Sequence, residues 1–185
     1  MNWQQKLREW QSCEHLDSVM KEQLKTLSDP AELEERFYKY LSFGTGGMRG
    51  ELGVGINRIN DYTIKRAALG LAQYISEAEA SQQGVVISYD NRHGSQRFAK
   101  WTARVLASQG VKVYLSDQLR PTPQLSFLVR HYHAFAGVMI TASHNPKEYN
   151  GFKVYGSDGG QITLAAAERL LTILNEIRNE LAIEA

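Results

Sequence analysis

Val85-Val86-Ile87-Ser88-Tyr89, Val111-Lys112-Val113-Tyr114-Leu115 and Ala136-Gly137-Val138-Met139-Ile140 decide the fold. Each is a short apolar or β-branched run of the length a buried strand needs, and a shorter fourth follows at Phe152-Lys153-Val154-Tyr155. Helical patterns separate them. Phe98, Trp101, Val105 and Leu106 share one helical face, with Ser95 as the cap and Gly110 at the close. Thr122-Pro123 opens a second helix carrying Leu125, Leu128, Val129 and Tyr132. A third starts at Thr163, with Leu170, Leu174, Ile177 and Leu181 inward and Glu168, Glu176 and Glu180 on the exposed face. Strands alternating with helices require right-handed crossovers. The expected architecture is therefore α/β, a mixed, mostly parallel sheet sandwiched by helices. Ligands of such sheets bind beyond the carboxyl ends of the strands, which singles out the loops after Tyr89, Leu115 and Ile140.

Upstream the texture is helical. Trp3, Leu7 and Trp10 share a face, and Val19, Met20, Leu24 and Leu27 continue the apolar pattern. Asp29 caps a further helix with Pro30 at its first position and Glu32 completing a capping box. Leu33, Phe37, Tyr40 and Leu41 are its buried stripe, and it is expected to stop near Phe43-Gly44. Residues 1–42 thus read as an N-terminal helical extension packed on residues 43–185. Gly44 to Gly55 is too rich in glycine for a stable helix and predicts a loop whose backbone approaches a ligand closely. Ile64, Ala68, Leu71 and Ile75 then mark another amphipathic helix, capped by Asn60 or Asp61.

The 185 residues are 43% hydrophobic, enough for a packed core of about one domain's size. Lys and Arg number 21 against 20 Asp and Glu, a net charge of +1, which argues against a duplex nucleic acid or an anionic membrane as partner. No apolar run approaches the ~20 residues of a membrane helix, and the N-terminus lacks a signal-peptide core, so a cytoplasmic location is expected. Cys13, the single cysteine, cannot form an internal disulfide or a cysteine metal cage.

The most informative loop is Thr141-Ala142-Ser143-His144-Asn145-Pro146-Lys147-Glu148-Tyr149-Asn150-Gly151-Phe152-Lys153. It sets a serine hydroxyl just past a buried strand, where it is exposed yet held by the sheet. Asn145 and Lys153 are donors suited to anionic oxygens. The same string also reads as a simple turn, with Pro146 extending Asn145. A serine hydrolase is disfavoured, because Thr141 and Asn145 stand where a nucleophile elbow has glycines, and only His93 among the other histidines falls in a ligand-side loop. The glycine-rich segment is neither a Walker A nor a dinucleotide fingerprint. It reads either as a phosphate cradle with Arg49 as a two-pronged donor or as a flexible connection. Asp90-Asn91-Arg92-His93-Gly94 precedes a helix N-terminus, which favours anions. Asp90 is placed to orient Arg92 or Lys153, unless the segment is merely a turn with Gly94 at positive φ.

Taken together, Phe43-Gly44-Thr45-Gly46-Gly47-Met48-Arg49-Gly50, Thr141-Ala142-Ser143-His144-Asn145-Pro146 and Asn150-Gly151-Phe152-Lys153 resemble the α-D-phosphohexomutases, in the phosphoglucomutase/phosphomannomutase group with its phosphopentomutase-like branch. The likeness covers nearly the whole chain. It implies a phosphoserine enzyme in which Ser143 carries the phosphoryl group and, through that phosphate, contacts Mg²⁺. Lys153 and Arg49 match the residues that handle protons and charge, Thr45, Gly46, His144 and Asn145 match the phosphate and substrate pocket, and Arg92 is assigned to phosphate binding. It also implies a sugar phosphate substrate, a glucose 1,6-bisphosphate-type activator, and the remaining domains of the same enzyme as partners. The family's Asp-Gly-Asp-Gly-Asp-Arg metal loop and sugar-selecting domains have no counterpart in this sequence. An isolated first domain, nearly inactive alone, is therefore expected. A non-catalytic phosphosugar-binding module is the alternative, and the choice among glucose, mannose, ribose and deoxyribose phosphates stays open.

Overall fold

The computed structural model describes residues 2–184. Three helices come first: α1 (Trp3–Gln11), α2 (Ser18–Thr26) and α3 (Pro30–Phe37). Each starts on a side chain that accepts from the first-turn amides, namely Asn2, Asp17 and Asp29. There follow β1 (Met48–Glu51), α4 (Asp61–Glu77), β2 (Val85–Tyr89), α5 (Ser95–Ser108), β3 (Val113–Leu115), α6 (Thr122–His131), β4 (Ala136–Ile140), β5 (Tyr149–Gly156) and α7 (Leu164–Glu176). A 3₁₀ turn covers Glu180–Ala182.

The sheet order is β1-β5-β4-β2-β3. The strands β3, β2 and β4 are parallel, as the helical crossovers require, and β5 and β1 join antiparallel. The antiparallel half has a simple cause: β4 and β5 are linked by a short loop without a helix, and a short link returns the chain in the opposite direction. Both strands buried on each side, β2 and β4, are apolar throughout or nearly so.

One face of the sheet packs on α4, α5 and α7 through Ile64, Leu71, Phe98, Leu106, Leu170 and Leu174, against Ile87, Val138, Ile140, Phe152 and Val154. The other packs on α6 through Leu125 and Val129, against Val86, Met139 and Tyr155. The leading helices have their own core, where Trp10 and Phe37 meet edge-on beside Tyr62, Val54 and Ile56.

Several expectations are corrected. The glycine-rich segment is not all loop: Met48–Glu51 is an edge strand, paired Arg49 to Gly151 and Glu51 to Tyr149. Tertiary pairing overrides the weak strand propensity of glycine. A Cβ at Gly47 (φ 79°) would sit 2.0 Å from the Phe152 carbonyl oxygen, so only glycine brings the chain so close to β5. The helix α3 stops at Phe37, short of Gly44, because the following residues are claimed elsewhere. Leu41 N–H donates to the Ile56 carbonyl, and the Tyr40 hydroxyl donates to Glu180. Val19 is exposed. Ser95 does not cap α5; Gly94 at φ 81° takes that position, and the Ser95 hydroxyl donates to Asp90.

The last helix also ends early, at Glu176, where Arg66 donates to the Leu174 and Ile177 carbonyls. Glu180 is not on an exposed helical face. It is fully buried and accepts from Trp10 Nε1 at 2.7 Å, the Tyr40 hydroxyl and Lys6 Nζ. A periodic pattern read along one helix has no means of registering donors that lie about 140 and 170 residues away. No helix among the described residues is long and apolar enough to cross a membrane.

Candidate active site

Ser143 stands in the loop between β4 and β5, at the carboxyl end of the parallel strands. It is exposed and its backbone is left-handed, with φ 58°. That conformation costs a residue with a Cβ roughly 1–2 kcal/mol, so the surroundings must hold it. They do so through hydrogen bonds. The Thr141 hydroxyl donates to Asp90 Oδ2 and accepts from the Ser143 N–H at 2.9 Å, and Asn145 N–H donates to the Ala142 carbonyl. The carboxylate of Asp90 also accepts from the Ser95 hydroxyl at 2.7 Å and from the Arg92 N–H at 3.1 Å.

Arg49 and Lys153 reach the site from neighbouring strands. Arg49 lies opposite Gly151, and residues directly opposite point to the same face. Lys153, two positions on from Gly151, is the diagonal neighbour on that face. The Arg49 guanidinium donates to Asn145 Oδ1, so Asn145 turns its amide NH₂ away from the arginine. The Thr45-Gly46 pair forms the tip of a tight turn closed by Gly44 and Gly47, and Gly47 fixes that turn against Phe152 and Lys153. Asn150, fully buried, donates to the His93 carbonyl and to Ser95 Oγ, tying the start of β5 to the loop after β2.

Burial holds the Lys153 amine below the ordinary lysine value, and the positive charge of Arg49 lowers it further, with Asp90 opposing. The structure thus sets a permanent cation beside an amine that loses its proton more readily than usual.

The remaining assignments separate. His144 is exposed, with Nδ1 3.5 Å from Ser143 Oγ. That proximity follows from the left-handed backbone at Ser143, whereas extended backbone would turn the two side chains apart. The Arg92 side chain is only 13% exposed, and its guanidinium is turned into the loop, onto the carbonyls of Ser143, Asn145, Pro146 and Tyr149. Thr141 and Asn150 carry no role in the sequence reading, whereas Asp90, expected to orient Arg92 or Lys153, does face Arg92 Nε at 3.3 Å. The available signal was a hydroxyl and a carboxylate directly after two adjacent buried strands.

The fold and this site define an α/β/α domain that presents a serine hydroxyl from the carboxyl end of its sheet, flanked by cationic side chains. Comparison with known proteins narrows the class. The family model for phosphoglucomutase/phosphomannomutase, alpha/beta/alpha domain I, matches residues 40–181, and the chain belongs to that family. It is 47% identical over 168 residues to a phosphoglucomutase of Staphylococcus aureus (strain USA300), covering 91% of this chain and 30% of that protein. Against a phosphoglucomutase of Staphylococcus epidermidis the identity is 50% over 152 residues, covering 82% of this chain and 28% of that protein. A Thermus thermophilus structure assigned as a phosphomannomutase superposes with a TM-score of 0.68 at 34% identity, over 74% of this chain and 30% of that one. The chain therefore spans about three tenths of the length of the relatives it matches.

Proposed function

We propose that this chain is the phosphoserine-bearing domain of a phosphomutase that interconverts a sugar 1-phosphate with the 6-phosphate, or 5-phosphate, through a bisphosphate. Residues 1–42 serve as a helical extension packed on it. In the phosphorylated form the phosphorus is bonded to Ser143 Oγ. A hydroxyl oxygen of the bound sugar monophosphate attacks that phosphorus and the P–Oγ bond breaks, leaving a sugar bisphosphate and an unphosphorylated serine. Lys153, whose amine gives up its proton more readily than an ordinary lysine, relays the proton from the sugar hydroxyl to Ser143 Oγ. After the bisphosphate reorients, Ser143 Oγ attacks its other phosphorus, the bond to the sugar oxygen breaks, the serine proton passes to that departing oxygen, and the product monophosphate leaves. Arg49 stabilises the charge on the transferring oxygens, which is the main demand of phosphoryl transfer. The turn at Thr45 and Gly46, together with His144 and Asn145, would border the phosphate.

The observation that carries this reading is the exposed Ser143 hydroxyl on a loop whose Asn145 accepts from Arg49. The family resemblance brings Mg²⁺ with it. The described residues hold no group of three or more His, Cys, Asp or Glu placed for a metal, and Asp90 is committed to Thr141, Ser95 and Arg92. This donor set does not by itself fit a magnesium site, so no step is assigned to the ion.

The test is intact mass after incubation with glucose 1,6-bisphosphate. One added phosphoryl group, absent from Ser143→Ala, is expected. No added mass with retained sugar phosphate binding would instead indicate a binding module, and labelling of Ser143 by a fluorophosphonate would indicate a hydrolase.

A further inference from the structure

Arg92 holds its place by contacts that leave little for a ligand. A guanidinium has five N–H donors in a planar fork. Nη1 donates to the Pro146 carbonyl at 2.8 Å and the Tyr149 carbonyl at 3.1 Å. Nη2 donates to the Ser143 carbonyl at 2.6 Å and the Asn145 carbonyl at 2.7 Å. The Nε edge faces Asp90 Oδ2 at 3.3 Å. Four of the five donors end on one loop, and the fifth side abuts the carboxylate that also accepts from Thr141. One side chain thus spans Ser143 to Tyr149, the segment that returns the chain from β4 to β5.

We infer that Arg92, seated by Asp90, is a positioning residue for the Ser143 loop. It gathers four carbonyls inward, which holds the left-handed backbone at Ser143 and leaves the hydroxyl exposed. The inference rests on the proposed role of Ser143 only where it predicts phosphoryl uptake. The clamp itself is a statement about the loop. A lysine cannot substitute, because its three donors radiate from one atom and do not span four carbonyls. A residue that contributed charge to a phosphate would behave differently, since lysine would then keep much of the effect.

The experiment compares Arg92→Lys, Arg92→Met and Asp90→Asn in the 185-residue chain, with Arg92→Ala kept for chemical rescue. Amide exchange is read across residues 142–149 and, as a control for folding, across β2 and β4. Both Arg92 variants are expected to speed exchange in the loop at least tenfold while the core strands stay protected. Asp90→Asn should give a smaller rise. Phosphoryl uptake at Ser143 from glucose 1,6-bisphosphate should fall at least tenfold and equally in Arg92→Lys and Arg92→Met, and millimolar guanidinium should restore part of it to Arg92→Ala where sodium does not. Wild-type loop protection in Arg92→Lys, or uptake kept by Arg92→Lys and lost by Arg92→Met, would overturn the clamp. If the unmodified chain takes up no phosphoryl group, the reading of Ser143 fails on that result, and the exchange data still decide the role of Arg92.

Discussion

Arg49 and Lys153 share one face of the β1–β5 pair, Arg49 directly opposite Gly151 and Lys153 two positions along β5 from it. Burial lowers the Lys153 titration most, and the Arg49 charge on the same face lowers it further.

Removing the neighbouring charge should therefore restore part of the ordinary behaviour of Lys153. In Arg49→Met the Lys153 amine is expected to titrate at higher pH than in the unmodified protein, while Arg49→Lys leaves it depressed. An NMR titration following the Lys153 side-chain resonances checks this. An unchanged midpoint in Arg49→Met would assign the whole displacement to burial, the larger of its causes.

Lys153 should also leave a mark on stability. Its folded pKa is lower than the unfolded one, so between the two values the unfolded chain binds more protons and stability rises with pH. Below the folded pKa the protein bears the full cost of holding the ammonium in place. Lys153→Met is accordingly expected to unfold at a higher temperature than the unmodified chain near neutral pH. The margin should narrow as pH climbs toward the ordinary lysine value of 10.5. The same variant should lose phosphoryl uptake at Ser143 by ~10²-fold or more, the scale of a lost proton-transfer group. Paired thermal melts and mass measurements over pH 6–10 separate the two effects. A variant of unchanged uptake would remove Lys153 from the chemistry.

Gly151 holds the geometry. A Cβ there would meet the Met48 carbonyl oxygen at 2.6 Å and that of Thr141 at 2.8 Å, both of them backbone. Since backbone cannot step aside as a side-chain tip would, Gly151→Ala should cost about 1–3 kcal/mol and spread β1 from β5. Lys153 would then regain a more ordinary titration through its distance from Arg49. Urea unfolding and the same NMR titration read both consequences.

Far from Ser143, Glu180 ties the C-terminal segment to the leading helices. Glu180→Ala removes the buried acceptor shared by Trp10 and Tyr40, while Lys6 keeps Glu9 at 2.7 Å and the Arg178 carbonyl at 2.9 Å, and is expected to cost about 1–3 kcal/mol for each donor left without it. Trp10→Phe, which removes one donor and keeps the aromatic packing, should cost about 1–3 kcal/mol. Equal losses in the two variants by denaturant unfolding would show that packing, not the charge cluster, dominates there.

Much of this molecule was legible beforehand, and for identifiable reasons. Val85–Tyr89 and Ala136–Ile140 are apolar runs too short for helices, and burial on both faces of a parallel sheet writes that pattern directly into a strand. The cap at Asp29 with Pro30 behind it is equally local, as is Gly94 at positive φ. Ser143 was conspicuous because loops at the carboxyl ends of such strands gather ligands. The strand at Met48–Glu51 was not legible, since its four residues have no periodic signal and owe their extended form to a partner about a hundred positions away. The inward turn of Arg92 was hidden for a related reason: whether a guanidinium meets a phosphate or a set of carbonyls depends on which backbone curls around it.

Local physics acting through the order of residues was enough to determine which segments are strands and helices, where most helices begin, and which loop offers a hydroxyl. Tertiary structure alone decided that Gly47 and Gly151 let a fifth strand close against the sheet, that Glu180 is buried beneath three donors, and that Arg92 is spent on the Ser143 loop. Those outcomes arise from contacts between distant parts of the chain, where the balance of desolvation, hydrogen bonding and steric room is settled only when both partners are in place.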